Sequence, residues 1–526
     1  MNALARIPFV NRAYGAGARM LTGVTSAVCW ANDRTREAWR VLRAIPLPIL
    51  RARLLLALAI IGISVFWGMA TAVLEVNAVI LVAAIIASLF ILNDYRVGVI
   101  LLILVMPISA SSIFPHEMLG LKGVNPLNLL IFATLLAYGL RRFFEKTAYR
   151  FVPKTWIWYF IIPVVLAGLH GAPHVSEIPA YFSANQDLQF EGSGGYLRDM
   201  VVKPLFLVIF ALMAGAACQS MSRPQWLLIP VVISVWIMCL MVIIFFLLSG
   251  AHYGDLANPN ARGFLTPLGI HPNDLGRLYA TAYAVLLYSL RGAPTGFVKL
   301  VIIASMAIVC VALALTFSRA AFLAFVVINI LYFVMQRNFK TIALGFGFVL
   351  VIMFALPGAI YERISLGFGP HAKADEISAG RTDEIWLPLL PEILNSPLIG
   401  HGLGSTMWSD AMKDERMLPV GHPHNAYLKA VLDMGFAGLL LLAIFYRRNW
   451  RLLRALRQRA DLDPQLRYFF EGASVGLLAF LLVGMSGSSL DPTPEQAFLW
   501  LEMGMAYGVA AKSATSLASN GVEPTS

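Results

Sequence analysis

The chain has 526 residues, of which 59% carry hydrophobic and 13% charged side chains, and its mean hydropathy is +0.73. Soluble domains carry roughly 45–50% apolar and about 25% charged residues, so an ordinary soluble chain is excluded and a polytopic membrane protein is expected. Forty Lys and Arg against 29 Asp and Glu leave a net charge of +11, which fits nucleic acid, anionic lipid, an anionic substrate or topology alone until the charges are sorted by position.

In chain order, residues 1–51 contain eight Arg, two acidic residues and no apolar run of spanning length. They read as a basic cytoplasmic arm and not as a cleavable signal peptide. A span needs about 20 apolar residues. Candidate spans fall at 52–74, 76–92, 97–114, 124–140, 155–170, 200–218, 225–249, 277–290, 297–316, 319–336, 340–357, 425–446, 468–487 and 495–511, fourteen in all. The expected architecture is an all-α polytopic membrane protein of about 12–14 transmembrane helices, one embedded unit over 52–511. With the arm inside, the basic connections 141–154, 291–299, 337–340 and 447–467 also fall inside, as the positive-inside tendency requires. The even count returns the C-terminus to the same side. The polar tail 512–526 has too little apolar surface to fold and is expected to be disordered there.

Three long segments then lie outside, at 171–198, 250–276 and 358–424. Loops beyond about 15 residues are usually functional or disordered. The third carries an apolar helical stretch from Glu384 to Leu394, followed by Pro397-Leu-Ile-Gly-His-Gly-Leu-Gly404, which suggests a packed, partly helical cap on the membrane face. The four cysteines, Cys29, Cys218, Cys239 and Cys310, avoid the long polar loops, so no disulfide framework is suggested.

Sorting the charge leaves about 28 basic residues explained by topology and by an anionic inner leaflet. Nucleic acid drops out as a partner. Twelve basic residues stay outside against the bias, among them Arg198, Lys203, Arg277, Arg319, Arg381 and Lys429. Arg277 and Arg319 sit where spans begin, and an ionisable group at that depth usually faces the bundle interior or a wet cavity. The competing reading is an Arg snorkelling to lipid phosphates. All nine histidines also fall on or near the outer side, and His422-Pro423-His424-Asn425 immediately precedes a span. His-x-His without an obvious Cys or acidic partner is a weak metal signal, so neither metal nor cofactor is predicted. An imidazole with pKa near 6.5 suits proton abstraction from a hydroxyl. The structural alternative for His424 is a share in capping the next helix.

Outward Arg residues beside a loop-borne His describe a site for an anionic headgroup with a reactive bond. Arg matches phosphate oxygens bidentately, and a sugar–diphosphate bond develops charge on its leaving group that Arg could stabilise. There is no G-x-x-x-x-G-K-[ST] phosphate loop.

His424-Asn425, nine residues, then Gly435-Phe-Ala-Gly438 complete a pattern of His, Asn or its substitutes, nine residues, Gly, two residues and Gly. With Phe317-Ser-Arg319-Ala-Ala, Gly380-Arg381, Trp386 and the Pro397–Gly404 segment, it resembles the O-antigen ligase family, which includes O-antigen polymerases and protein O-oligosaccharyltransferases. The resemblance covers about 265–445. It implies a metal-independent membrane glycosyltransferase of the mostly helical GT-C-like type, in a bacterial inner membrane, working on the periplasmic face. The donor implied is an undecaprenyl-diphosphate-linked glycan, and the acceptor lipid A–core or a growing glycan, with membrane lipid around both. Carried over, His424 is the base, Arg319 and Arg381 are the foremost diphosphate ligands, and Arg277 is a third.

The neighbours have two readings each. His422 is a second partner for the acceptor or is merely fixed in an extended turn by Pro423. Asn425 orients the loop or caps the helix. Gly400, Gly402 and Gly404 favour a tight turn over phosphate cradling, and Gly435 and Gly438 suggest close helix packing. Tyr427 is an interfacial aromatic or a sugar ligand, and Asp433, deep in a span, needs a partner and is kept as a site member. A ligase is favoured over a polymerase on the completeness of the signature. A lipid-linked glycan flippase would place its ionisable residues near mid-membrane, in two related halves, and a non-catalytic assembly partner would make His424 dispensable.

Overall fold

A computed structural model describes residues 76–118, 121–122, 125–145, 152–180, 182, 190–249, 261–336, 378, 380–414, 418, 420–487 and 490–519. The basic arm, the predicted spans 52–74 and 340–357 and much of the 358–424 cap lie outside the described residues. Two compact units are present, 1–83 and 84–526, and the first is described only over 76–83, within one helix.

Helix α1 (Val76–Asn93) is followed by α2 (Tyr95–Val105), capped by Asp94. The predicted span 97–114 is thereby corrected. Pro107 removes a backbone donor and crowds the preceding turn, so the chain leaves the helix at Val105 and forms a tight turn over Ile108–Ala110. A two-residue hairpin, β1 (Glu117–Met118) with β2 (Leu121–Lys122), leads to α3 (Pro126–Glu145). Then come α4 (Lys154–Glu177), α5 (Gly192–Ser220) and α6 (Pro224–Leu248). The series continues with α7 (Pro272–Ser289), α8 (Gly296–Leu315) and α9 (Arg319–Gln336). After the cap helix α10 (Leu387–Asn395) follow α11 (Ala426–Gln458), α12 (Pro464–Val483) and α13 (Ala497–Ser519).

Seven of these, α3 to α6, α8, α11 and α12, are long and apolar enough to cross a membrane, and three shorter apolar stretches lie in α1, α2 and α9. The protein is thus an all-α polytopic membrane protein. Helix α7 is less apolar because it is a central strut, buried almost continuously from Leu275 to Tyr288. Its hydroxyls find partners inside: Tyr279 donates to the Met238 carbonyl (2.8 Å) and Tyr283 to Asn329 Oδ1 (3.0 Å), as buried phenols must.

Small residues bring the helices together where apolar packing against lipid gives no preference. A Cβ on Gly504 would lie 1.9 Å from the Ala211 carbonyl oxygen, and one on Gly508 2.0 Å from that of Gly215, so α5 and α13 touch backbone to backbone. Gly472 makes the same approach of α12 to α7 at Val285. An aromatic cluster of Trp156, Phe160, Phe445 and Trp500 joins α4, α11 and α13, with Trp156 and Trp500 centroids 5.4 Å apart. The tail expected to be disordered from 512 is helical to Ser519. Lys512 Nζ donates to the Met221 carbonyl.

Candidate active site

Helix α11 carries an interruption that organises one end of the bundle. Gly435 adopts φ 64°, ψ −176° within the helix, a conformation essentially restricted to glycine. The groups freed by the break pair with the segment 397–402. His401 N donates to Leu432 O (2.8 Å), Gly402 N to Asp433 O (2.9 Å), Phe436 N to Pro397 O (2.8 Å) and Ala437 N to Leu398 O (3.2 Å). Irregular backbone at membrane depth survives only when satisfied in this way. Gly435 is therefore a helix break with an inserted loop, which corrects the expectation of helix packing. Gly400, Gly402 and Gly404 all have positive φ, the tight turn expected. A Cβ on Gly402 would reach Gly171 backbone at 2.3 Å.

Asp433 closes this joint. Its Oδ1 accepts from Gly404 N, Ser405 N and Ser405 Oγ at 2.9–3.1 Å. Its Oδ2 pairs with Lys429 Nζ, which also reaches Asp491 Oδ2 at 2.7 Å. The partner that Asp433 requires is Lys429, four residues earlier on the same face, and the i,i+4 spacing was a signal for it. Tyr427 is likewise engaged, its phenol donating to the Leu481 carbonyl at 2.5 Å. Asn425 caps α11, accepting from Tyr427 N (3.0 Å) and Leu428 N (3.2 Å).

At the start of α11, His424 has φ 50°, and Phe317 just before Arg319 has the same value; they are the only non-glycine residues with positive φ among the described residues. Such torsions cost about 1–3 kcal/mol and cluster at functional sites. The His424 ring lies edge-on to His422, centroids 4.2 Å apart, and 6.3 Å from His271. His271 caps α7, its Nδ1 accepting from Asn273 N at 3.2 Å. A Cβ on Gly276 would meet Ala321 Cβ at 2.6 Å, so α7 and α9 start in close contact, placing Arg319 at the same end. Trp386 Nε1 donates to the Pro423 carbonyl at 2.8 Å, which ties the segment following Arg381 to the His422–His424 turn.

Electrostatics show the convergence. Burial, then the charge of Arg319, lowers the pKa of Arg381. Burial, then His422, Arg381 and His271, lowers that of His424 to about 3. His422 is also lowered, chiefly by burial. His422 and His424 are therefore neutral at neutral pH, proton acceptors beside the guanidinium of Arg381.

The Arg277 guanidinium turns elsewhere. It is ion-paired with Asp274, its side chain is 2% exposed, and its Cζ lies 5.5 Å from the Phe480 ring centroid. The structure thus brings together His422, His424, Arg319 and Arg381, and places Arg277, Tyr427 and Asp433 in packing joints around them. His271 was missed as a member of the cluster; its only sequence signal was the His-Pro-Asn-Asp start of α7. Among the described residues, no three His, Cys, Asp or Glu side chains are grouped to hold a metal ion.

Fold and site define a helical, multi-pass membrane protein with an imidazole–guanidinium cluster at one end of its bundle. Residues 304–443 match the protein-family model Wzy_C, described as O-Antigen ligase, the family that the signature around His424 resembles. The matched range contains every site residue singled out from the sequence except Arg277. It supports glycan transfer of ligase or polymerase type. No curated protein matches the chain.

Proposed function

We propose that the protein transfers a glycan from undecaprenyl diphosphate to an acceptor hydroxyl at the periplasmic face of the inner membrane, most in keeping with a ligase whose acceptor is lipid A–core. The observation that carries this reading is the neutral, strained His424 held beside the Arg381–Arg319 pair. The acceptor oxygen attacks the anomeric carbon of the donor sugar, and its proton passes to the His424 imidazole. The bond from that carbon to the phosphate oxygen breaks, its electron pair leaving with the diphosphate, whose charge Arg319 and Arg381 stabilise.

The depressed basicity of His424 fits an unloaded site. An arriving diphosphate places negative charge near the imidazole, offsetting Arg381 and raising its pKa toward the working range. The base is thus strengthened by the donor it serves. A polymerase adding repeat units would use the same chemistry with a different acceptor.

The test is transfer by the purified protein from lipid-diphosphate glycan to lipid A–core. His424→Ala should lower kcat by about 10²–10⁴-fold, the usual contribution of a positioned base. Arg319→Ala and Arg381→Ala should weaken donor binding or turnover. Full turnover without His424 would remove the base assignment, and unaltered kinetics in both Arg variants would remove the diphosphate clamp.

A further inference from the structure

Two of the basic residues held outside against the topological bias, Arg198 and Lys203, take no part in the His424 cluster. Both line a second cavity of about 480 Å³, with His116, Asn128, Asp199 and Pro494 among its other walls. That volume lies within the range of small-ligand sites. Arg198 opens a wide π-helical turn, Arg198–Val202, near the start of α5, and Lys203 follows it directly; such turns recur at functional sites.

The charges leave donors available. Arg198 uses Nε and Nη2 on the two oxygens of Asp199, each at 3.1 Å, and its Nη1 comes only to 4.0 Å of Glu191. Lys203 Nζ lies 2.7 Å from the same Asp199. One carboxylate thus gathers two cations, with Glu191 4.0 Å from Arg198 and Glu117 on the cavity wall as further acids, and both basic side chains remain open to solvent, at 41% and 63% exposure. An ammonium has three donors and a guanidinium five, so most of their capacity faces outward. Topology offers no reason to keep them on this side.

The cavity adjoins the candidate active site through one loop. Pro494 on its wall begins the turn Pro494–Gln496, which packs against both α7 and the Ile108–Ala110 turn. Ser112 N donates to the Leu268 carbonyl (2.9 Å), fastening the cavity's other wall to the segment leading to His271. A long saccharide could occupy both places.

We infer that this cavity is a subsite for a saccharide bearing an anionic group, held by Arg198 and Lys203, and that it receives the acceptor side of the transfer. The inference rests on the glycan-transfer reading for its link to acceptor, but the binding itself is testable without catalysis. The mixed lining suits a sugar: cations for its phosphate or carboxylate, with Asn128, His116 and Asp199 to exchange hydrogen bonds with hydroxyls.

The binding test uses the full chain in nanodiscs, in an Arg319→Ala/Arg381→Ala background so that the first anion site is removed. The probes are glucose 6-phosphate, glucuronate and unmodified glucose, followed by saturation-transfer NMR. Glucose 6-phosphate or glucuronate should bind, and adding Arg198→Ala/Lys203→Ala should weaken that binding about tenfold or more, the loss of one charge-assisted contact or more. Which of the two anions binds better identifies the group preferred. Equal binding of glucose, or no effect of the double substitution, overturns the subsite. The two cations are exposed, so their removal should leave folding intact, which thermal unfolding of the same samples checks. With His424 and the Arg319–Arg381 pair intact, the double variant should raise KM for an anionic acceptor about tenfold, leaving kcat and donor KM unchanged. A rise in donor KM instead would assign the cavity to the donor glycan and overturn the acceptor assignment. Absence of transfer by the unaltered protein would count against the proposed function, while the NMR result would still decide the subsite.

Discussion

Replacing Gly435 with Ala tests the joint on which the site is built. A Cβ at this position would stand 2.2 Å from both the carbonyl carbon and oxygen of Leu398, rigid backbone that cannot rotate away. The backbone at φ 64°, ψ −176° is itself unfavourable for alanine by about 1–3 kcal/mol. If the 397–398 segment withdraws to relieve the overlap, the bonds from Phe436 N and Ala437 N are lost, each worth roughly 0.5–1.5 kcal/mol. The sum is a destabilisation of about 2–6 kcal/mol. Unfolding in mixed micelles by added denaturing detergent gives the magnitude, with Gly139→Ala as control. That helical glycine has open space around its Cβ position, so alanine there should be neutral or stabilising. Transfer activity should fall with Gly435→Ala, because the displaced loop carries the anchor of Asp433. A loss below about 1 kcal/mol, with full activity, would refute the claim that the signature glycine is there to break the helix.

Three further outcomes follow from the same geometry. Because the unloaded His424 is lowered to about 3, it stays unprotonated as pH falls through 6.5; kcat/KM, which reports the free enzyme, should show no acid limb centred near 6.5, and finding one there would contradict the depressed value. Arg381 contributes to that lowering, so Arg381→Gln should move any acid limb to higher pH. Lys429→Met leaves Asp433 and Asp491 facing each other without their shared cation and should cost about 3–5 kcal/mol, measured in the same unfolding assay; replacing all three by apolar residues should cost less. Trp386→Phe removes the hydrogen bond to Pro423, worth about 1 kcal/mol, and should lower kcat several-fold by loosening the His422–His424 turn without altering helix content by circular dichroism.

What the sequence made legible was local. Asn425 precedes an apolar run and caps it, three glycines at alternate positions make a turn, and a buried Asp four residues from a Lys finds it. These features are set by neighbours in the chain and by the periodicity of a helix. What it concealed was the use of each side chain across elements. Nothing near Tyr427 indicates that its hydroxyl is occupied by Leu481 on another helix, and nothing near Arg277 indicates that Phe480 covers it, although Asp274, three residues earlier, was a legible partner. The apolar run from Val97 to Phe114 resembled one span because hydropathy averages over Pro107, although that residue ends the helix.

The signature His-Asn-x9-Gly-x2-Gly acquires a physical meaning from this division. Asn425 fixes where α11 starts, and Gly435 fixes where it opens. The intervening residues carry Lys429 and Asp433, whose pairing locks the Gly400–Gly404 turn to the opening. Spacing between His424 and Gly435 therefore sets the distance from the proposed base to the loop joint. A one-residue insertion there would rotate His424 by about 100° about the helix axis relative to the joint. The cap, held by Trp386 at Pro423 and by Pro397–Gly402 at the break, carries Arg381 in register with that same helix. The proposed chemistry rests on His424 and two arginines, and the placement of His424 against the cap is set by glycines and a capping amide.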